Sequence, residues 1–318
     1  MKVVQDPSVG WIADSWVPEP APDGLTTFSV LRMPFDHAVS HRPGARFGPD
    51  SILKNLNEFA LYCTDKRVSL RDVRFLDLGE SDAFHSLPDT YRSAAAAVQA
   101  IPVGTHPVFL GGDHSLTDPI VRGLQRRAGG ARFGLIDFDA HFDSRDPLAG
   151  REHSGHWMRT LADVLDYTVV AQLGISSNLY SEDYMQRAES GGVLVRTMYD
   201  IRRQGWRETV EEVVRHVSTG TDGVYITVDI DCVDQAFASG TSVPNPSGFL
   251  AHEVIDAVYE LSAATDVVGL DIMEVSPPLD PSDNTARVAA YLALNHVAGV
   301  VTRQRTGATA GVPARSAP

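Results

Sequence analysis

The stretch LIDFDAHFDSRD, Leu135 to Asp146, sets Asp137, Asp139, His141, Asp143 and Asp146 within ten residues. Like charges this close repel and raise one another's pKa, so a fold keeps such a cluster only where a cation compensates it. Further polar groups stand at other strand ends, among which that cation's remaining ligands can be sought: Asp113 and His114 in PVFLGGDHSLTD, and Asp229 and Asp231 in VYITVDIDCVD. VVGLDIMEVSPP adds Asp271 and Glu274. His114, Asp139, His141, Asp143, Asp229 and Asp231 mix imidazole with carboxylate and include no thiolate. That set suits Mn2+ and, less well, Zn2+, Ni2+ or Fe2+. Six such ligands are too many for one small ion with an open position. Two ions sharing bridging carboxylates use them all, and a water held between two dications becomes hydroxide near neutral pH. A single strand-end aspartate is more often a helix cap, and a single buried histidine more often a hydrogen-bonded core residue. Motifs at three strand ends together outweigh both readings. Cys232, beside Asp231, reads as a small buried hydrophobe.

Positioning such a set takes a rigid frame. Apolar runs that read as buried strands are TTFSVLRM, VRFLDLG, PVFLGG, FGLIDFDA, VVAQLGI, GVLVR, GVYITVDID and VVGLDIMEV. Amphipathic stretches such as DTYRSAAAAVQAI, LTDPIVRGLQRRA, WRETVEEVVRHV and LAHEVIDAVYELSAA lie between most of them and read as helices. This alternation predicts an α/β chain, a parallel sheet covered by helices on both faces, with the ligands at the carboxyl ends of its strands. Continued alternation past the strand would turn Asp139, His141 and Asp143 to one side. No linker divides the chain. We expect an irregular N-terminal arm over residues 1–24, a single catalytic domain over 25–302 and a disordered tail over 303–318.

Composition narrows the partners. The 318-residue chain carries a formal charge of −14, which disfavours nucleic acid and anionic membranes. No apolar run approaches the roughly 18 residues of a membrane helix, and no basic-then-apolar leader opens the chain. Cys63 and Cys232 are its only cysteines, which fits a reducing cytoplasm.

GGDHS, DAHFD, VDIDCVD and DIMEVSP resemble the four signature blocks of the ureohydrolase family of arginase, agmatinase, guanidino-acid hydrolases and formimidoylglutamase. HRPGARFGPDSIL, His41 to Leu53, is similar to the family's N-terminal block, and the likeness spans roughly residues 25 to 300. The resemblance implies the arginase-like three-layer α-β-α fold with a central, mainly parallel sheet, and two Mn2+ per chain, with another divalent metal as the alternative. By position, His114, Asp139, Asp143 and Asp229 would hold one ion, and His141, Asp139, Asp229 and Asp231 the other. Asp139 and Asp229 would bridge, and Asp137 would be structural. The resemblance further implies a homo-oligomer.

Within the family, arginase- and agmatinase-like members place a histidine before the glycine of a loop that reads REHSGHWMRT here. Ser154 takes that position, with His153 and His156 on either side. The Ser-Gly pair, Arg159 a few places on and Arg145 after DAHFD are similar to formimidoylglutamases, whereas HWM at 156–158 departs from them. That branch implies hydrolysis of a linear amidine, N-formimidoyl-L-glutamate, to L-glutamate and formamide. Asp143 would pass a proton to the departing amine, and Glu274 would accept hydrogen bonds from the amidinium. Arg145 and Arg159 would anchor carboxylates, with Ser154 also contacting substrate. The alternatives are an agmatinase-like or guanidino-acid hydrolase releasing urea, a two-metal phosphoesterase, which Glu274 argues against, and a non-catalytic metal-binding relative.

Overall fold

A computed structural model describes residues 6–22, 24–146 and 153–307. Among them lie eleven strands: β1 Trp16–Val17, β2 Thr26–Arg32, β3 Tyr62–Cys63, β4 Val68–Ser69, β5 Val73–Glu80, β6 His106–Leu110, β7 Phe133–Phe138, β8 Val170–Ile175, β9 Leu194–Thr197, β10 Gly223–Asp229 and β11 Val267–Met273. The α-helices are α1 Gly48–Leu56, α2 Leu87–Gln99, α3 Thr117–Arg127, α4 Trp157–Thr160, α5 Glu182–Ser190, α6 Met198–Gln204, α7 Trp206–Ser218, α8 Ala251–Ala264 and α9 Asn284–Thr306.

The main sheet runs β1-β5-β2-β6-β11-β10-β7-β8-β9, with β3 and β4 forming a separate hairpin. Each neighbouring pair in the main sheet is parallel. Parallel strands need crossovers, and helices filling them cover both faces. Alternation along β7 shows the consequence. Ile136 and Phe138 enter one apolar layer with residues of α1, α7, α8 and α9, while Phe133 and Leu135 enter the other with α2, α3 and α4. The result is the three-layer α-β-α architecture expected from the sequence.

The ends of the chain are more ordered than expected. Trp16 and Val17, inside the stretch read as an irregular arm, extend the sheet beside Phe75 and Leu76 of β5. At the other end, α9 continues to Thr306, so residues 303–306 belong to a helix and not to a tail. Arg305 donates to the Ser69 carbonyl there and ties that last turn to the hairpin. Residues 1–5, 23 and 308–318 of these two stretches lie outside the described residues. Among the described residues no helix is long and apolar enough to cross a membrane.

Candidate metal centre and active-site cleft

Four strands adjacent in the middle of the sheet, β6, β11, β10 and β7, deliver the chemistry at their carboxyl ends. His114 follows β6, Asp139 to Asp143 follow β7, Asp229 closes β10 with Asp231 just beyond, and Glu274 follows β11. At the turn out of β6, a side chain on Gly112 would meet the Phe35 carbonyl at 1.7 Å, so only glycine lets the two backbones pass.

The ligands converge by a different device from the pleated alternation expected. β7 stops at Phe138, and Asp143 adopts φ 42°. Past the sheet, N–H groups lack ladder partners, and aspartate carboxylates take them. Asp139 Oδ1 accepts from the His141 N–H at 2.6 Å, Asp229 Oδ1 from the Asp231 N–H at 2.8 Å, and Asp113 Oδ1 from the Ser115 N–H at 3.2 Å. Each is a loop closed by a carboxylate on the backbone two residues on.

The carboxylates also face the two histidines. His114 Nδ1 lies 3.4 Å from Asp139 Oδ2, 3.3 Å from Asp143 Oδ2 and 3.2 Å from Asp229 Oδ2. His141 Nδ1 lies 3.3 Å from Asp139 Oδ1 and 3.1 Å from Asp231 Oδ2. Two ligand groups result, His114–Asp139–Asp143–Asp229 and Asp139–His141–Asp231. Asp139 presents one oxygen to each. Asp229 stands in the first group, whereas the family pattern assigns it to both ions.

This arrangement fits metal ions. His114 Nδ1 and Asp139 Oδ2 are buried without a hydrogen-bond partner. Atoms about 2.1 Å from an ion and at right angles about it stand about 3 Å apart, close to the spacing here. Electrostatics agree. Burial, then Asp231, pushes Asp229 up to about 7. Burial and then Asp143 raise Asp139. Burial opposes a charged His114, but Asp139, Asp143 and Asp229 hold its pKa well above the usual histidine range. Burial and mutual repulsion thus disfavour a fully ionised cluster, and bound dications would compensate it.

Residues behind the ligands, which sequence reasoning missed, orient them. His114 Nε2 lies 2.9 Å from Thr227 Oγ1, and the Thr227 hydroxyl donates to Asp271 Oδ1 at 2.5 Å. With its one proton given to Asp271, Thr227 accepts from Nε2–H, leaving the Nδ1 lone pair for an ion. Asp271 also accepts from the hydroxyls of Thr117 and Tyr225. Thr227 lies two positions before Asp229 on the same strand, so period-two spacing carried the signal. Trp157, noted only as a departure, donates from Nε1 to Asp143 Oδ2 at 2.9 Å. Asp137 lies outside both ligand groups and accepts from Gln172 Nε2 at 2.9 Å.

A cleft of about 380 Å3 opens over the cluster, with His141, Asp143, Arg145, Ser154, Tyr180 and Glu274 on its walls. Glu274, at φ 64°, accepts from the His114 N–H through Oε1 at 3.0 Å, while buried Oε2 has no partner. Burial, then Asp229 and Asp113, raises its pKa well above the carboxylate range. The Arg145 guanidinium lies 4.6 Å over the Tyr180 ring and donates to the Leu179 carbonyl at 3.0 Å. Ser154 Oγ is 3.0 Å from Ser40 Oγ. Arg159 is not brought to the cleft walls: it pairs with Asp146 at 2.9 Å and is half exposed. His153 and His156 also stay behind the walls, against Ser40 and the Arg145 carbonyl respectively.

Residues 26–299 match the arginase family. The chain belongs to the arginase family. It is 31% identical over 280 residues to a formimidoylglutamase of Halalkalibacterium halodurans, covering 86% of each chain. It is 33% identical over 277 residues to a guanidinopropionase of Pseudomonas aeruginosa, covering 83% of each. The crystal structure of formimidoylglutamase from Bacillus subtilis superposes with a TM-score of 0.87 at 27% identity, covering 94% of both chains. This arginase-family protein is thus a hydrolase of amidino C–N bonds on an arginase-like fold.

Proposed function

We propose that this protein hydrolyses N-formimidoyl-L-glutamate to L-glutamate and formamide with two Mn2+ ions. The observation that carries the substrate class is Arg145. Its guanidinium faces the cleft with no carboxylate partner among the described residues, and such a fork binds a carboxylate through paired hydrogen bonds. A cationic tail such as that of agmatine would be repelled there.

The two ligand groups would hold the ions, with Asp139 in both. Bound there, the ions supply a nucleophilic water at neutral pH and neutralise the buried carboxylates. Glu274 Oε2, buried and unpartnered, accepts hydrogen bonds from the amidinium and fixes its plane. Water adds to the amidine carbon, and the bond from that carbon to the glutamate nitrogen breaks. Asp143, pinned by Trp157, hands a proton to the departing nitrogen. Ser154, where arginase- and agmatinase-like members carry histidine, contributes a hydroxyl to the wall beside the substrate. Two buried free thiols, Cys63 and Cys232, fit a cytoplasmic setting.

A release assay on manganese-loaded protein tests this, scoring formamide against urea from N-formimidoyl-L-glutamate, agmatine, arginine and guanidino acids. Formamide from the first is expected. Urea from a guanidino acid alone would favour the second reading, since Arg145 suits that carboxylate equally and a guanidinopropionase is 33% identical. Such a result would overturn the substrate and leave the family chemistry standing.

A further inference from the structure

Arg145 poses a problem of restraint. This long cationic side chain lines the same cleft as Asp143, Asp229, Asp231 and Glu274, yet it forms no ion pair among the described residues. Its side chain donates to the Leu179 carbonyl, which occupies one of five N–H groups, and the Tyr180 hydroxyl is also within hydrogen-bonding reach of it. What else holds it is the face of Tyr180, 4.6 Å from the guanidinium carbon. Stacking uses the plane of a guanidinium and leaves its N–H edge free.

Tyr180 is itself held. Its ring meets Phe142 edge to face at 5.4 Å and Tyr184 edge to face at 4.9 Å, and lies 5.9 Å from the ring of His141. Phe142 stands in sequence between His141 and Asp143, one member of each ligand group. The aromatic contacts therefore run without a break from the metal-ligand loop to the guanidinium.

We propose that Tyr180 is a positioning residue that holds the Arg145 fork at a fixed distance from the metal-ligand loop, setting the site's selectivity for amidines bearing a carboxylate. This rests on the reading that Arg145 anchors the substrate carboxylate. Tyr180 acts through the face of its ring and not through its hydroxyl.

The test compares N-formimidoyl-L-glutamate with formamidine, which has no carboxylate, on manganese-loaded protein with metal content measured for each variant. Tyr180→Leu and Tyr180→Met should each raise KM for the glutamate derivative roughly ten-fold and lower its kcat/KM relative to formamidine by the same factor. Tyr180→Phe, which keeps the face, should stay within about two-fold of the parent on the same contact. Added to Arg145→Met, Tyr180→Leu should change the selectivity by less than about two-fold, because the two residues act as one unit. Tyr180→Phe losing as much as Tyr180→Leu would overturn the proposal, as would additive losses in the double variant or unchanged selectivity in both non-aromatic variants. If Arg145→Met itself leaves the selectivity unaltered, the anchoring reading fails, whatever Tyr180 does. If Arg145→Met lowers it and the Tyr180 variants do not, the platform fails alone.

Discussion

The indole N–H of Trp157 donates to Asp143 Oδ2 over 2.9 Å, and that same oxygen lies 3.3 Å from His114 Nδ1. One carboxylate oxygen is thus aimed from two sides. Trp157→Phe should remove a hydrogen bond to a charged group, worth about 1.5–3 kcal/mol. We expect kcat to fall at least ten-fold with some loss of metal affinity, read by steady-state kinetics and metal analysis on the same sample. Unchanged kcat would mean that Asp143 needs no orientation from the indole.

Thr227→Val keeps the shape of the side chain and removes the acceptor for His114 Nε2. Losing such an outer partner typically weakens metal binding about 10–100-fold. Calorimetric titration of the metal-free protein with Mn2+ should show this in one class of site. Equal weakening of both classes would point to a general distortion.

Asp139 offers an oxygen to each ligand group, whereas His141 belongs to one. Asp139→Asn should therefore deplete both ions, and His141→Asn mainly one, in a metal count per chain. Two ions retained in Asp139→Asn would break the dinuclear assignment.

Ser154→Ala removes a hydroxyl that meets Ser40 Oγ at 3.0 Å on the cleft wall. A neutral hydrogen bond contributes about 1 kcal/mol, so kcat/KM should fall no more than roughly ten-fold. His153→Ala, behind that pair, serves as the comparison. A loss of several orders of magnitude in His153→Ala with metals retained would show that this imidazole moves a proton that Ser154 cannot.

Far from the cleft, His296 is buried in α9, with Nδ1 2.9 Å from Ser262 Oγ. Burial, then nearby His106, pushes its pKa down to about 3. Because that lies below the unfolded value near 6.5, the unfolded chain takes up the proton first as pH falls. Its contribution to stability is complete above pH ~6.5 and is lost between there and pH ~3, by roughly 1.4 kcal/mol per unit. Urea unfolding at pH 4, 5, 6 and 7 should show a steeper acid loss in the parent than in His296→Gln. Identical slopes would mean that His296 is protonated in the fold.

Eight strands of the main sheet were legible as apolar runs, most of them because a strand buried on both faces reads as an unbroken apolar run. β1 was not, since two residues in a proline-rich arm show no pattern until β5 pairs with them. α9 escaped for the opposite reason: it is buried on most of its faces, so no single apolar stripe marks it, and its last turn, TRQRT, is polar. The candidate metal ligands stood out because clustered carboxylates and imidazoles have few other reasons to share strand ends. Thr227 and Trp157 are ordinary residues for a buried strand and a core helix, and they acquire meaning only from the partners that the fold brings. Arg159 reads as a carboxylate anchor from the resemblance alone, and in the fold it pairs with Asp146.

The carboxylate-closed loops have a wider consequence. Asp139 and Asp229 fold their own segments by bonding the next-but-one backbone N–H, so the ligand cage assembles from local chemistry at the carboxyl ends of the central strands. Of the walls that would meet a substrate tail, Ser40, Ser154, Leu179 and Tyr180 lie on other loops, while Arg145 follows Asp143 on the ligand segment itself. Making the nucleophile and choosing the molecule therefore fall largely to different segments, which meet at Arg145 and Tyr180. Lineages can rewrite the second without disturbing the first, and similar identity to a formimidoylglutamase and a guanidinopropionase is what such freedom leaves behind.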